Sequence, residues 1–293
     1  MVGNVKASSK SKAKAWISIV RIGNCIALGY AAIVGYLLSF PGNLDPLVIL
    51  KLFVTAFLIG GGSNTINDYF DASIDAINKP WRPIPSGLIN AKTALRASIV
   101  MTAIGVMISF TLSLENGFIA LVAAILAFMY SFRLKKTFLV GNIVVASLVA
   151  LSIIYGGLAG HNLRIDVFLA SIFAFLLNLG REFIKGIEDV EGDKKYGIKT
   201  IATVKGIKAA YICSVIIFSI LILLSVAPYI LLGYSLLYTM MAILGVDIVI
   251  LAAIIKASTL NPGDALNASR LLKIAVFVGI TAFFVEALYR SYY

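Results

Sequence analysis

Residues 46–75 read PLVILKLFVTAFLIGGGSNTINDYFDASID, a nearly unbroken apolar run that leads directly into Asn67, Asp68, Asp71 and Asp75. A run of about twenty apolar residues is long enough to cross a bilayer. Acidic groups at its end are costly unless a cation or a partner neutralises them. The pattern returns later in the chain, where an apolar stretch ends in Glu182, Lys185, Glu188, Asp189, Glu191 and Asp193. The two clusters hold eight of the 14 carboxylates. Acids gathered in this way point to divalent metal and, through the metal, to a strongly anionic substrate such as a diphosphate.

The rest of the composition agrees with a membrane protein. Of 293 residues, 60% are hydrophobic and 13% charged, and the mean hydropathy is +0.97. A soluble domain would carry about 25% charged residues. The chain reads as an all-α polytopic membrane protein with nine spans, near 16–38, 46–66, 93–113, 117–133, 139–159, 166–187, 209–227, 232–255 and 271–289. No Pro/Gly/Ser-rich linker divides it, so residues 16–293 are expected to form one transmembrane domain behind a basic N-terminal segment, 1–15, carrying Lys6, Lys10, Lys12 and Lys14. Cys25 and Cys213 lie in apolar runs and read as packed thiols rather than a disulfide. Gly60–Gly62 and Gly156–Gly157 permit either close helix packing or local unwinding beside a cavity. The net charge of +11 fits anionic lipid and topology better than nucleic acid, for which the polar segments are too short. No feature of the chain fixes an oligomeric state.

Alternation of the spans gives the chemistry a side. The N-terminus and the loops after spans two, four, six and eight share one face, and of the 25 Lys and Arg residues only Lys51, Arg164 and Arg290 fall on the other. That bias predicts a cytoplasmic face for both acidic clusters, a cytoplasmic N-terminus and an extracytoplasmic C-terminus. The clusters also occupy corresponding positions in two four-helix halves, which suggests one bundle around a central cavity.

On a helix Asn67, Asp71 and Asp75 recur every four residues and line one face, as do Asp189 and Asp193, with Glu182 seven residues before Asp189. Magnesium suits such a pair of faces, because it takes carboxylate and phosphate oxygens while keeping waters. Lys79, Arg82, Arg133, Lys135 and Lys185 are placed to hold the remaining phosphate oxygens. A single Asp-x-x-x-Asp at a helix end is usually only a solvated charge pattern; two on one membrane face, with bases alongside, reverse that reading. The single histidine, His161, falls on the opposite face, which argues against histidine-based chemistry. Asp247, inside span eight, reads as a buried polar contact or a packing hydrogen bond.

These residues resemble the UbiA superfamily of intramembrane prenyltransferases. Asn67-Asp68-Tyr69-Phe70-Asp71-Ala72-Ser73-Ile74-Asp75 fits its first motif, and the run from Asn78 to Gly87 (Asn-Lys-Pro-Trp-Arg-Pro-Ile-Pro-Ser-Gly) is typical of it. Asp189 and Asp193, followed by Gly197-Ile198-Lys199-Thr200, match the second motif, and Tyr130-Ser131 with Lys135 resembles the loop between spans four and five. Arg21-x-x-Asn24-Cys25, with Asn178, Arg181, Glu182 and Lys185, is similar to the archaeal branch that makes digeranylgeranylglyceryl phosphate. Members acting on aromatic acceptors usually carry a tyrosine where Lys185 stands. One departure is Gly186, where the pattern has an acidic residue.

The resemblance implies magnesium-dependent transfer of geranylgeranyl from its diphosphate to the free hydroxyl of geranylgeranylglyceryl phosphate. It implies that Asn67, Asp71, Asp189 and Asp193 hold metal, with Asp68 and Asp75 as further ligands or orienting groups. Arg82, Lys135 and Lys79 would neutralise the leaving group, and Lys185 would meet the acceptor phosphate. Arg21, Asn24, Tyr130, Arg133, Asn178, Arg181 and Glu182 complete the expected substrate contacts. The nearest rival is a prenyltransferase of the same fold with a quinone, haem or chlorin acceptor. A membrane phosphotransferase would show one combined Asp motif, and a transporter would not need two metal-type clusters on one face.

Overall fold

The computed structural model describes residues 9–40, 42 and 44–292; the rest of the chain, Lys6 included, lies outside the described residues. Helices α1 (Ser9–Val20) and α2 (Ile22–Ser39) are followed by α3 (Pro46–Phe70), α4 (Ala72–Asn78), α5 (Ala91–Phe110), α6 (Leu114–Phe132), α7 (Val140–Ala159), α8 (Ile165–Glu188) and α9 (Val190–Lys195). Then come α10 (Ile201–Val204), α11 (Ile207–Ser225), α12 (Ala227–Leu232), α13 (Leu236–Met240), a π-helical stretch at Met241–Asp247, α14 (Ile248–Ala257) and α15 (Pro262–Tyr292). Among the described residues, nine segments are long and apolar enough to cross a membrane.

Local chemistry sets where these helices begin. Asp45 caps α3 by accepting from the Leu47 and Val48 amides at 2.8 and 3.3 Å, ahead of Pro46 in the first turn. Asn90 and Ser113 cap α5 and α6 in the same way. Sheet-like alternation is absent from the apolar runs, and the spans pack against one another: α2 beside α3 and, running parallel to it, α7; α3 beside α5; and α8 beside α7, α11 and α15.

Three boundaries differ from the sequence reading. The first span does not run on from residue 16: Arg21, at φ 55° and ψ 59°, separates α1 from α2. A left-handed arginine costs about 1 kcal/mol, and its guanidinium is held at Asp68 (2.6 Å) and Asn64 (3.2 Å). The boundary expected at residue 15 also falls inside α1, whose Ala15 and Ile19 are buried against Ile89 and Ala94. Last, α15 starts at Pro262 rather than near 271, because Ala265, Ala268 and Leu272 give its polar first turns a buried stripe.

The glycines act in packing, and the helices carrying them stay continuous. A Cβ on Gly156 would lie 1.7 Å from the Ala32 carbonyl oxygen, and one on Gly35 would lie 1.9 Å from that of Ile153. Helices α2 and α7 therefore touch backbone to backbone. Cys25 and Cys213 are free thiols.

At the bundle end away from the acidic clusters, a buried polar network joins α8, α13 and α15. Asp166 accepts from the Tyr234 hydroxyl (2.8 Å) and from Arg290 (3.1 Å). Glu286, with no exposed surface, accepts from Arg290 (2.9 Å) and from the Ser235 amide and hydroxyl (2.9 and 2.6 Å). Glu286→Gln keeps the shape and removes the charge, so it is expected to cost about 1–2 kcal/mol. A lower Tm in detergent with unchanged KM values would be the matching result; an unchanged Tm would mean that the network is not stabilising.

Candidate functional site: a two-sided acidic mouth

Each acidic cluster sits at a bend in its helix. Helix α3 ends at Asp71, with φ −89° and ψ 0°, and α8 ends at Asp189, with φ −92° and ψ 4°. In both, amide bonds close the turn on each side of the bend: Asp71 N–H donates to Asn67 O and Asp75 N–H to Asp71 O, as Asp189 N–H does to Lys185 O and Asp193 N–H to Asp189 O. The fourfold spacing read from the sequence is therefore kept, although neither helix is straight. Two unrelated stretches reach the same backbone geometry.

The bends face each other across one mouth. Lys79 Nζ lies 3.9 Å from Asp189, and the Tyr196 hydroxyl donates to Ile74 O at 3.4 Å, so the cluster after α3 touches the one after α8. Behind them lies a cavity of about 1180 Å³ with a polar entrance and apolar depths that include Ile59, Ala123, Leu148 and Ile280. Pockets for single drug-sized ligands are about 300–1,000 Å³. This one has room for a long apolar chain beside a charged head group.

Most of the expected site residues line this cavity: Arg21, Asn24, Asn67, Asp71, Asp75, Lys79, Arg82, Tyr130 and Lys135 from the first half, and Asn178, Arg181, Glu182, Lys185, Asp189 and Asp193 from the second. Two do not. Asp68 is buried behind the wall, held by Arg21 at 2.6 Å and Arg82 at 3.3 Å. Its carboxylate bridges two cations of the cavity wall. Arg133 caps α6 and is exposed outside the cavity lining, because the Leu134–Lys136 turn directs Lys135 inward instead.

The electrostatics explain what the mouth can hold. Lys135 pairs with Asp71, and Arg82 with Asp75 at 2.6 Å. Burial raises the Asp75 carboxyl above its ordinary range against the pull of Arg82. Burial also opposes the charge of Arg82, but Asp68 and Asp75 outweigh it and its pKa rises. Asp193 is pushed up to about 7, first by burial and then by Asp189. A cation facing Asp189 and Asp193 would reverse that shift.

Among the described residues no three carboxylate, histidine or cysteine groups converge on a single point. Magnesium does not require that: it is bound by one or two carboxylates with waters and substrate phosphate. The donor set fits it. Asn67 Nδ2 donates to Asp71 at 3.2 Å, while Asn67 Oδ1 is buried without a hydrogen-bond partner. A buried acceptor left open beside a carboxylate is suited to a hard cation.

Sequence reasoning missed several members of the site. Asn64, one turn before Asp68, holds Arg21 and also donates to Val20 O at 2.9 Å; its spacing was the available signal. Tyr196 and Lys273 line the cavity with no motif to mark them. A Cβ at Gly186 would meet Thr200 and Ala202 at ordinary contact distances. Asp247 lies apart in a small apolar pocket, bonded to Ser225 at 2.8 Å. His161 sits in the turn between α7 and α8, at the far end of both from the acidic bends.

Comparison with known proteins gives the same picture from outside. The digeranylgeranylglyceryl phosphate synthase of Sulfolobus acidocaldarius is 40% identical over 261 residues, 89% of this chain and 93% of that protein. A solved structure described as giving structural and mechanistic insights into digeranylgeranylglyceryl phosphate synthase in membranes aligns with a TM-score of 0.76 at 31% identity, covering 95% of this chain and 99% of its own. A UbiA homolog from Archaeoglobus fulgidus bound to GPP and Mg2+ shares the fold at 19% identity, with a TM-score of 0.70 and 92% and 99% of the two chains covered. The model of the UbiA prenyltransferase family matches residues 28–278, through both bends and the cavity between them, and the chain belongs to that family.

Proposed function

We propose that this protein transfers a geranylgeranyl group from its diphosphate to the free hydroxyl of geranylgeranylglyceryl phosphate, forming the second ether bond of an archaeal membrane lipid. The observation that carries the reading is the meeting of two acidic bends at the mouth of one long, apolar-floored cavity. The relative from Sulfolobus acidocaldarius, similar over most of both chains, supports the choice of acceptor.

Asn67, Asp71, Asp189 and Asp193 would hold divalent metal, which supplies positive charge to the departing diphosphate. The UbiA homolog bound to GPP and Mg2+ supports magnesium as the metal. Lys135, Lys79 and Arg82 stand where they can turn from their aspartates to phosphate oxygens. Arg21 and Arg82 are kept in line by Asp68. The allylic C1–O bond breaks with its electron pair leaving on diphosphate, the apolar floor keeps water from the allylic cation, and the acceptor oxygen forms the new C1–O bond as its proton departs. The spans act as one transmembrane domain, and the bias of Lys and Arg supports a mouth and N-terminus on the cytoplasmic side.

Product analysis tests this. Purified protein with labelled geranylgeranyl diphosphate, Mg2+ and geranylgeranylglyceryl phosphate should give, by mass spectrometry, an acceptor one geranylgeranyl unit heavier. Chelation by EDTA should stop formation, and excess Mg2+ should restore it. Prenylation of an aromatic acceptor in place of the glyceryl phosphate would overturn the assignment.

A further inference from the structure

The cations around the cavity fall into two sets. Arg21, Lys79, Arg82 and Lys135 each pair with an aspartate of the two motifs. Lys185 on α8 and Lys273 on α15 line the same cavity, yet neither makes an ion pair within 4.0 Å among the described residues. Arg181, also on α8, reaches its neighbour Glu182 and the Ser269 carbonyl, both at 3.4 Å. Ser269 lies one turn before Lys273 on α15, so that contact brings the Arg181 and Lys273 faces together. Lys273 stands within electrostatic reach of Arg181, Lys185 and Arg21, with Glu188 an acidic group in the same neighbourhood.

Three cations crowded on one wall repel one another, and uncompensated charge inside a membrane protein is costly. Glu182 and Asp189 offset part of it at Lys185, and Glu188 part of it at Lys273. The remainder calls for an anion delivered by a ligand. The first set and the acidic bends already answer to the diphosphate. We propose that Lys273, with Arg181 and Lys185, forms a second, metal-independent anion subsite that takes the phosphomonoester of the acceptor. Lys273 is then a specificity-determining residue that selects phosphorylated over neutral acceptors. The inference rests on the function proposed above, since only a phosphorylated acceptor brings a second anion into the cavity.

The geometry gives the subsite a purpose. A phosphate held between α8 and α15 fixes one end of the acceptor on the wall beside the mouth, leaving its hydroxyl to approach the allylic carbon. No aspartate of the two motifs is needed for that grip, so it should persist without metal.

The test compares wild type, Lys273→Ala and Lys273→Arg in detergent. Loss of one charge-assisted contact to phosphate should raise the acceptor KM about tenfold or more. The KM for geranylgeranyl diphosphate and kcat at saturating acceptor should stay near wild type, and Lys273→Arg should recover most of the loss. The preference for geranylgeranylglyceryl phosphate over geranylgeranylglycerol should shrink by the same factor. Binding of geranylgeranylglyceryl phosphate in EDTA, followed by calorimetry, should weaken in parallel. A raised KM for the diphosphate instead, or no change in either KM with an unchanged Tm, would overturn the proposal. If wild type makes no product with this acceptor yet binds it in EDTA through Lys273, the function assigned above fails and the subsite stands.

Discussion

Asp71→Asn is expected to lower kcat/KM by about 10²–10³-fold, or about 3–4 kcal/mol of transition-state stabilisation. Asparagine keeps the volume of the side chain and can still accept a hydrogen bond from Asn67 or Lys135, the two partners of Asp71. What it removes is the negative charge that would hold a divalent ion beside the open Asn67 oxygen. The Tm should therefore change little while turnover collapses, and Asp189→Asn should behave alike from the other side of the mouth. Asp68→Asn makes the comparison sharper. Asp68 lies outside the cavity lining and acts on Arg21 and Arg82, so its loss should cost closer to about tenfold and show in the KM for the diphosphate. Near-normal turnover by Asp71→Asn, measured with labelled substrate and saturating Mg2+, would remove the metal-bridged grip on diphosphate from the mechanism.

Gly156→Val is expected to destabilise the protein by about 3 kcal/mol or more. Its Cβ would overlap the Ala32 carbonyl at 1.7 Å and crowd the Tyr36 amide at 3.0 Å. Those neighbours are backbone, so the only relief is separation of α2 from α7, which opens a cluster that buries Val34, Leu37 and Ile153. Thermal unfolding in detergent should show a clearly lower Tm. Gly23→Ala supplies the contrast, because nothing lies within 4 Å of a Cβ at Gly23. There, Tm should hold or rise with the gain in helix propensity. Equal Tm values for the two variants would mean that the α2–α7 crossing is looser than its geometry states.

Much of the bundle was legible because hydropathy and span length answer to one strong constraint, the satisfaction of backbone polar groups in lipid. Asp71 and Asp189 were legible for a related reason, since carboxylates at the end of an apolar run have few structural explanations. What escaped the sequence depends on direction in three dimensions. Nothing in the order of residues says that Asp68 turns away from the cavity while Asp71 turns in, because a motif gives spacing without stating which neighbour arrives first. The Arg21 break is of the same kind: a left-handed arginine is disfavoured locally and stands here through bonds to residues more than forty positions away. Lys273 was counted only as one of many cytoplasmic bases, since α15 carries no motif to set it apart. Arg133, beside Lys135 in the chain, shows the converse, a plausible cation directed away by a tight turn.

The paired bends have a mechanical consequence. Because amide bonds close the turns on either side of Asp71 and Asp189, each carboxylate is tied to the end of a membrane-long helix instead of a slack tether, and its aim is inherited from that lever. The jaws thus take their working posture as the chain folds, and little reorganisation is left for each catalytic cycle.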